Sequence, residues 1–154
     1  MTRTEHVYVM YIDSTPKKIY AAIVKPEFAR QYWYPENISS DWTPGSWWEH
    51  RDSETGKVNI VGKVVEAQPP SRLVITWAGA KEAANPDAYS RVTFLVEPID
   101  GMVKLTVTHD QLAAGSDMEK RINAGWPRVL SSLKSFLETG KPLPTWSKAK
   151  VQQG

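Results

Sequence analysis

The stretch SDMEKRINAGWPRVLSSLKSFLET, residues 116–139, decides the fold of this chain. Its apolar residues recur at spacings of three and four, which is typical of a helix with one apolar stripe. The stripe consists of Ile122, Trp126, Val129, Leu133 and Phe136 or Leu137. Ser116 followed by Glu119 fits a capping box, which predicts the start of the helix. Gly140, followed by Pro142, predicts its end.

A helix with a single apolar stripe needs a broad apolar surface, and the preceding part of the chain supplies one as strands. Alternating or β-branched segments predict strands at residues 7–13, 46–52, 58–67, 72–77, 89–98 and 102–110. Asp100-Gly101 joins the last two as a hairpin turn, while Thr15-Pro16 and Pro26 predict two short helices. The predicted fold is α+β: a curved antiparallel sheet of six to seven strands wrapped around the long C-terminal helix.

The length of 154 residues suits one core, and a single domain is predicted over residues 1–140. Residues 141–154 are expected to form an extended or partly disordered tail on which Trp146 could dock. The apolar run at residues 7–12 is too short for a signal peptide or a membrane span, so a cytoplasmic protein with no membrane partner is expected. Gly62, in the middle of a predicted strand, indicates a bulge or sharp bend.

The composition argues against several function classes. Nineteen basic and seventeen acidic residues leave a net charge of +2 without a basic patch, so no nucleic-acid partner is expected. The absence of cysteine excludes disulfides and thiolate chemistry, and His6, His50 and His109 lack metal-ligand spacing, so no metal site is expected. G-x-S-x-G, P-loop and G-x-G-x-x-G motifs are missing, and no cofactor is expected.

Tryptophan is unusually frequent, with seven residues spread along the chain: Trp33, Trp42, Trp47, Trp48, Trp77, Trp126 and Trp146. Each indole has a large apolar surface and one N–H donor. Two interpretations follow, a tryptophan-rich core or an aromatic lining for a cavity. Composition alone favours the core.

Several short motifs then occur in a fixed order between residues 6 and 140. They are Ser14-Thr15-Pro16 with Ile19-Tyr20, Pro26 with Tyr32-Trp33, Asp41-Trp42-Thr43-Pro44-Gly45-Ser46, Gly62-Lys63-Val64-Val65-Glu66 with Pro69-Pro70 and Leu73, Thr76-Trp77, and Gly125-Trp126 with Leu130 and Leu133. As an ordered set they resemble the START-like (SRPBCC) helix-grip superfamily, in particular the branch named for the activator of the heat-shock-protein-90 ATPase. The branch has no shared catalytic motif to carry over.

The resemblance implies a cavity between the sheet and the last helix. Members of the superfamily bind apolar small molecules there, carry out reactions in it, or act as co-chaperone modules. A pocket of about 300–1,000 Å³ is expected for a ligand of drug-like size. The candidate ligand-binding residues, from the inward faces of the strands and the helix stripe, are Trp33, Trp42, Trp48, His50, Trp77, Phe94, Leu105, Val107, His109, Trp126 and Leu130.

Three hypotheses about function follow. The leading one is binding of a small apolar or aromatic ligand, oriented by His50, His109, a tryptophan N–H or a tyrosine hydroxyl. The second is a co-chaperone or protein-interaction module, whose partner is a chaperone or a second copy, since the first strand is apolar on both faces. The third is a cyclase or hydrolase for an aromatic compound. It needs a histidine as base, and of the neighbouring carboxylates only Asp52 shares a face with its histidine, because Asp110 points away from His109. A binding role is preferred, because a histidine on an apolar strand face is more often a satisfied core or pocket residue.

Overall fold

The computed structural model describes residues 2–144, which form a seven-stranded antiparallel sheet, three α-helices and two short 3₁₀ helices. The strands are β1 (Arg3–Ile12), β2 (Glu36–Ser40), β3 (Trp47–Asp52), β4 (Val58–Gln68), β5 (Arg72–Gly79), β6 (Ser90–Ile99) and β7 (Met102–Ala113). The helices are α1 (Pro16–Val24), α2 (Pro26–Tyr32) and α3 (Asp117–Thr139), and the 3₁₀ helices span Ala80–Glu82 and Pro86–Ala88. Trp146 and most of the predicted tail lie outside the described residues.

The strands run in the spatial order β1-β7-β6-β5-β4-β3-β2, with every neighbouring pair antiparallel. One face of this sheet packs against α3, which confirms the predicted helix-grip fold. The buried side chains of β6 and β7 alternate as expected and include Val92, Phe94, Val96, Val103, Leu105, Val107 and His109. No helix within residues 2–144 is both long enough and apolar enough to cross a membrane.

Helix α3 begins and ends where the sequence predicts. The Ser116 Oγ accepts a hydrogen bond from the Glu119 N–H at 3.2 Å, and the Glu119 carboxylate accepts one from the Gly115 N–H at 2.8 Å. At the other end Gly140 takes the left-handed conformation, with φ of +81°. The predicted stripe is confirmed: Ile122, Trp126, Val129 and Leu133 are buried, and Phe136 and Leu137 are partly buried. Leu130 and Ser132 are buried beside it.

Of the bulge or sharp bend predicted at Gly62, the bulge does not occur at this residue. Gly62 pairs in register with Trp48, and the irregularity lies between Val64 and Glu66. Glycine is needed here for close approach: a Cβ atom would lie 1.9 Å from the Thr76 carbonyl oxygen and 2.5 Å from the Trp48 Nε1. That space lets the Trp48 indole donate its N–H to the Thr76 carbonyl at 2.8 Å.

Candidate functional site

An open cleft of about 940 Å³ lies between one end of the sheet and the N-terminal half of α3. Side chains from the sheet and from the two 3₁₀ helices after β5 form one wall. Residues of α3 between Ser116 and Val129 form the other. The segment after β5 is therefore part of the site.

Four aromatic rings form the inner end of this cleft: Trp33, His50, Trp77 and Trp126. Trp33 directly follows α2, His50 lies on β3, Trp77 lies on β5, and Trp126 lies on α3. The ring centroids of Trp33 and His50 lie 4.5 Å apart, those of Trp33 and Trp126 5.4 Å apart, and those of Trp77 and Trp126 5.6 Å apart. Rings from the sheet and the helix are thus in contact, and they close the cleft on its inner side.

Beyond these rings the space between sheet and helix is filled. The residual void there measures only about 10 Å³, and Phe94 and Leu130 are among its lining residues. The cavity expected between the sheet and the last helix is therefore limited to the open cleft at one end of the molecule. Indole rings are large enough to meet across the middle of the molecule, so open space remains only at one end.

The eleven predicted ligand-binding residues divide accordingly. The four rings named above line the cleft, and seven residues do not: Trp42, Trp48, Phe94, Leu105, Val107, His109 and Leu130. Leu105, Val107 and His109 have no exposed surface, and Trp42 is a partly buried residue in the turn before β3. Alternation along a strand gives the inward face, but it does not show how far along the strand the packed core extends. That the four rings bind a ligand stays a prediction.

His109 belongs to a chain of hydrogen bonds that fixes the position of Trp126. The Trp126 indole N–H donates to His109 Nδ1 at 3.0 Å, and His109 Nε2 and the Ser90 Oγ are 2.8 Å apart. The Ser90 hydroxyl also lies 3.1 Å from the Trp77 carbonyl, to which it donates. Because Nδ1 accepts, Nε2 carries the proton and donates to Ser90. Burial lowers the His109 pKa to about 3, so the ring is neutral and has no nitrogen left to act as a base.

His50 differs because its ring faces the cleft. Its imidazole packs edge-on against Trp33 and Trp48, and no hydrogen bond between described residues includes it. Burial lowers the His50 pKa to about 3, which leaves a neutral ring with one donor and one acceptor nitrogen. Asp52, the carboxylate predicted to share its face, accepts hydrogen bonds from the backbone N–H groups of the turn after β3.

Two further polar groups at the cleft were missed by the sequence prediction. The Asn59 amide donates to Glu36 Oε1 at 2.6 Å, and both residues line the cleft. Glu36 Oε2 is buried and makes no hydrogen bond to any described residue, and the Trp77 Nε1 is buried and unbonded in the same way. Burial, with the charge of Asp52 as a smaller cause, raises the pKa of Glu36 although the bond from Asn59 opposes it.

Asn59 reaches Glu36 because of a bulge. His50 pairs with Ile60 and Arg51 with Val58, so the register skips Asn59. A bulge residue is released from the strict alternation of the strand, and its side chain is re-aimed. The only sequence signal is one polar residue inside the apolar run Val58–Val61, and alternation places that residue on the outer face.

Charges around the cleft are balanced. Of the described residues, four basic and four acidic ones line it: Arg3, Lys57, Lys81, Arg121, Glu36, Glu82, Asp87 and Asp117. The site therefore has no strong preference for an anion or a cation as a whole. Within residues 2–144 no group of three or more His, Asp or Glu side chains is placed to hold a metal ion.

Solved structures of other proteins have a similar architecture. An Aha1 dimer from Colwellia psychrerythraea, solved in solution, is similar with a TM-score of 0.73 and 25% identity over 92% of this chain and 99% of that chain. CalU16 from Micromonospora echinospora has a TM-score of 0.70 and 18% identity over 97% of this chain and 81% of that one. No curated protein matches the sequence.

The family described as Activator of Hsp90 ATPase homolog 1-like protein matches residues 13–138. The match covers α1, α2, the strands β2 to β7, α3 as far as Glu138 and all four rings at the inner end of the cleft. The chain belongs to the Activator of Hsp90 ATPase homolog 1-like family, within the helix-grip superfamily that the sequence motifs indicate.

Proposed function

We propose that the protein binds a small, mainly apolar aromatic molecule in the open cleft. The observation that carries this proposal is the cleft of about 940 Å³ ending on Trp33, Trp77 and Trp126. A concave site with apolar aromatic walls and few polar groups is what small-molecule ligands generally occupy. Affinity would come from removing the flat faces of ligand and indoles from water, at about 25 cal/mol per Å² of apolar surface.

The polar groups at the inner end would set the orientation of the ligand. The neutral His50 offers a donor and an acceptor nitrogen, and the Trp77 N–H has no acceptor among residues 2–144. A buried donor without a partner costs about 1–3 kcal/mol. A carbonyl or ether oxygen on the ligand would remove that cost when it reaches the indole, so the proposal favours ligands that carry an acceptor.

Native mass spectrometry of freshly purified protein tests the proposal by looking for a co-purified small molecule. Ala124→Phe fills the cleft from α3 and should abolish the adduct. Lys120→Phe places the same ring on α3 at a residue that does not line the cleft, and it should retain the adduct. An adduct that survives Ala124→Phe contradicts the proposed site, and a protein that binds no aromatic molecule in solution contradicts the function.

The outer face of β1 supports a second proposal, self-association. Val7, Val9 and Tyr11 are 52%, 51% and 48% exposed and follow one another at alternate positions. The intervening Tyr8 and Met10 pack on the core. Strand β1 is also an edge of the sheet, and the similar Aha1 protein from Colwellia psychrerythraea was solved as a dimer. An apolar stripe on an edge strand is typical of an interface between chains.

Light scattering coupled to gel filtration tests this second proposal. The wild type should form a dimer, and Val9→Lys should give a monomer because it places a charge in the apolar stripe. Val65→Lys is the matched control, since Val65 is equally exposed, at 53%, but lies on β4. If the wild type stays monomeric at high concentration, the apolar stripe of β1 does not bind a second copy of the chain. A chaperone is then the alternative partner for this stripe.

A further inference from the structure

The Glu36–Asn59 pair is the polar feature of the cleft that the proposed function leaves unexplained. Asn59 donates to one carboxylate oxygen at 2.6 Å, and the other oxygen is buried with no hydrogen-bond partner in the described part of the chain. No ion pair within residues 2–144 includes Glu36. A carboxylate next to a cleft is thus held from one side only.

A purely structural pair would not need this arrangement. β2 is already held by five paired residues along β3, from Glu36 to Ser40. Leaving a carboxylate oxygen buried and unbonded costs free energy, and the cost exceeds that for a neutral group. Asn59 stands at a bulge and donates to the carboxylate, both residues line the cleft, and bulges are frequent next to active sites.

A group that donates a hydrogen bond would satisfy this oxygen. Hydrogen bonds to ionised acceptors are stronger than those between neutral groups. The aromatic rings at the inner end supply the apolar part of the same site. The ligand that fits both features has a flat aromatic body and an O–H or N–H group at its edge.

We propose that Glu36, positioned by Asn59, determines specificity by accepting a hydrogen bond from an aromatic alcohol or amine bound in the cleft. This inference rests on the proposed function, because it names the class of ligand for the same site. Asn59 is a positioning residue, since it acts through the Glu36 carboxylate. Aromatic ethers and hydrocarbons of the same shape are the ligands that Glu36 would discriminate against, because they would leave its free oxygen unpaired.

NMR titration with fragment-sized probes tests the inference. The probes are β-naphthol, β-naphthylamine and β-naphthyl methyl ether, which share a ring system and differ in the donor. The Trp77 indole N–H resonance, assigned with Trp77→Phe, reports occupancy of the cleft. We expect β-naphthol or β-naphthylamine to bind at least about tenfold more tightly than the ether, as one hydrogen bond to a charged acceptor provides. The stronger of the two donors then identifies the ligand as an alcohol or an amine.

Glu36→Gln should reduce this preference to less than about twofold, because the amide presents a donor where the carboxylate presents an acceptor. Glu49→Gln is the matched control: Glu49 lies on β3 outside the cleft, paired with Arg51, and its loss should leave the preference unchanged. Equal binding of all three probes by the wild type overturns the role of Glu36 and leaves the proposed function standing. Failure of every probe to shift the Trp77 resonance overturns both. If Glu36→Gln does not fold, the wild-type ratio still decides.

Discussion

At the scale of single residues, the absence of a side chain at Gly62 determines how the tryptophans pack. A Cβ atom at residue 62 would collide with two neighbours. It would lie 2.5 Å from the Trp48 indole nitrogen and 1.9 Å from the Thr76 carbonyl oxygen. Trp48 in turn contacts Trp77 and His50, with centroids 5.2 and 5.1 Å away. One missing methyl group therefore supports the inner end of the cleft.

Gly62→Ala should destabilise the protein by about 2–4 kcal/mol, since it adds overpacking and disturbs the buried Trp48–Thr76 hydrogen bond. Urea unfolding followed by tryptophan fluorescence measures the change. Gly79→Ala is the control: its added Cβ would meet only the flexible Met118 side chain, at 3.7 Å, and its φ is not positive. A loss of less than about 1 kcal/mol in Gly62→Ala would show that the strands can separate to make room.

At the scale of elements, one carboxylate ties the start of α3 to the edge strand. Glu119 Oε2 accepts from the Thr4 hydroxyl at 2.5 Å and lies 2.9 Å from His6 Nε2, while Oε1 accepts from the Gly115 N–H at 2.8 Å. The hydrogen bond from Thr4, followed by those from His6 and Gly115, lowers the Glu119 pKa to about 2. The wall of the cleft on the helix side is held in place through this contact.

In the wild type, opening of the first two turns of α3 must break the Glu119 hydrogen bonds to β1. Glu119→Ala removes these bonds, so the amide hydrogens of the two turns should exchange at least about tenfold faster. Hydrogen exchange by mass spectrometry measures this on peptides covering residues 115–125. Glu27→Ala, at an exposed residue in the first turn of α2, should leave the same peptides unchanged. Equal exchange rates in both variants would mean that the Ser116 cap alone holds the helix start.

The elements that could be predicted from the sequence are those whose signals are local. The caps and stripe of α3 are in the sequence, and Asp100-Gly101 forms the expected turn with φ values of +50° and +80°. Strand β2 was missed because its sequence, ENISS, has little apolar character. It becomes a strand by pairing with β3, and that pairing depends on residues outside its own segment.

The residues of the candidate site also divide into those that local sequence signals predict and those that depend on distant residues. His50, Trp77 and Trp126 could be predicted because strand alternation and the helix stripe place them on inward faces, whereas Trp33, directly after α2, lies outside both patterns. The extent of the cleft could not, since it depends on how far the indoles fill the interior. Glu36 and Asn59 could not either, because one stands on the missed strand and the other is re-aimed by a bulge that exists only once β3 and β4 pair.

At the scale of the whole molecule, two buried neutral histidines couple folding to pH. Burial lowers the pKa of both His50 and His109 to about 3, while an unfolded histidine has a pKa of about 6.5. The unfolded chain therefore binds more protons between these values, and the stability present above pH about 6.5 is lost as the pH falls. From pH 7 to pH 5 each imidazole should remove about 2 kcal/mol, or about 4 kcal/mol together.

His109→Gln separates this effect from other titrations, because glutamine can still accept from Trp126 and donate to Ser90 but does not titrate. Urea unfolding at pH 7 and pH 5 should show about half of the wild-type loss in this variant, while His6 and Glu119 are unchanged in both proteins. His50→Gln should act equally, and the double variant should lose almost nothing over this range. Because both rings pack edge-on against Trp77, with centroid distances of 5.5 Å for His50 and 5.4 Å for His109, acid should loosen the inner end of the cleft as one unit. A wild-type stability that is flat between pH 7 and pH 5 would mean that water or a local opening reaches both rings, so that they titrate without unfolding.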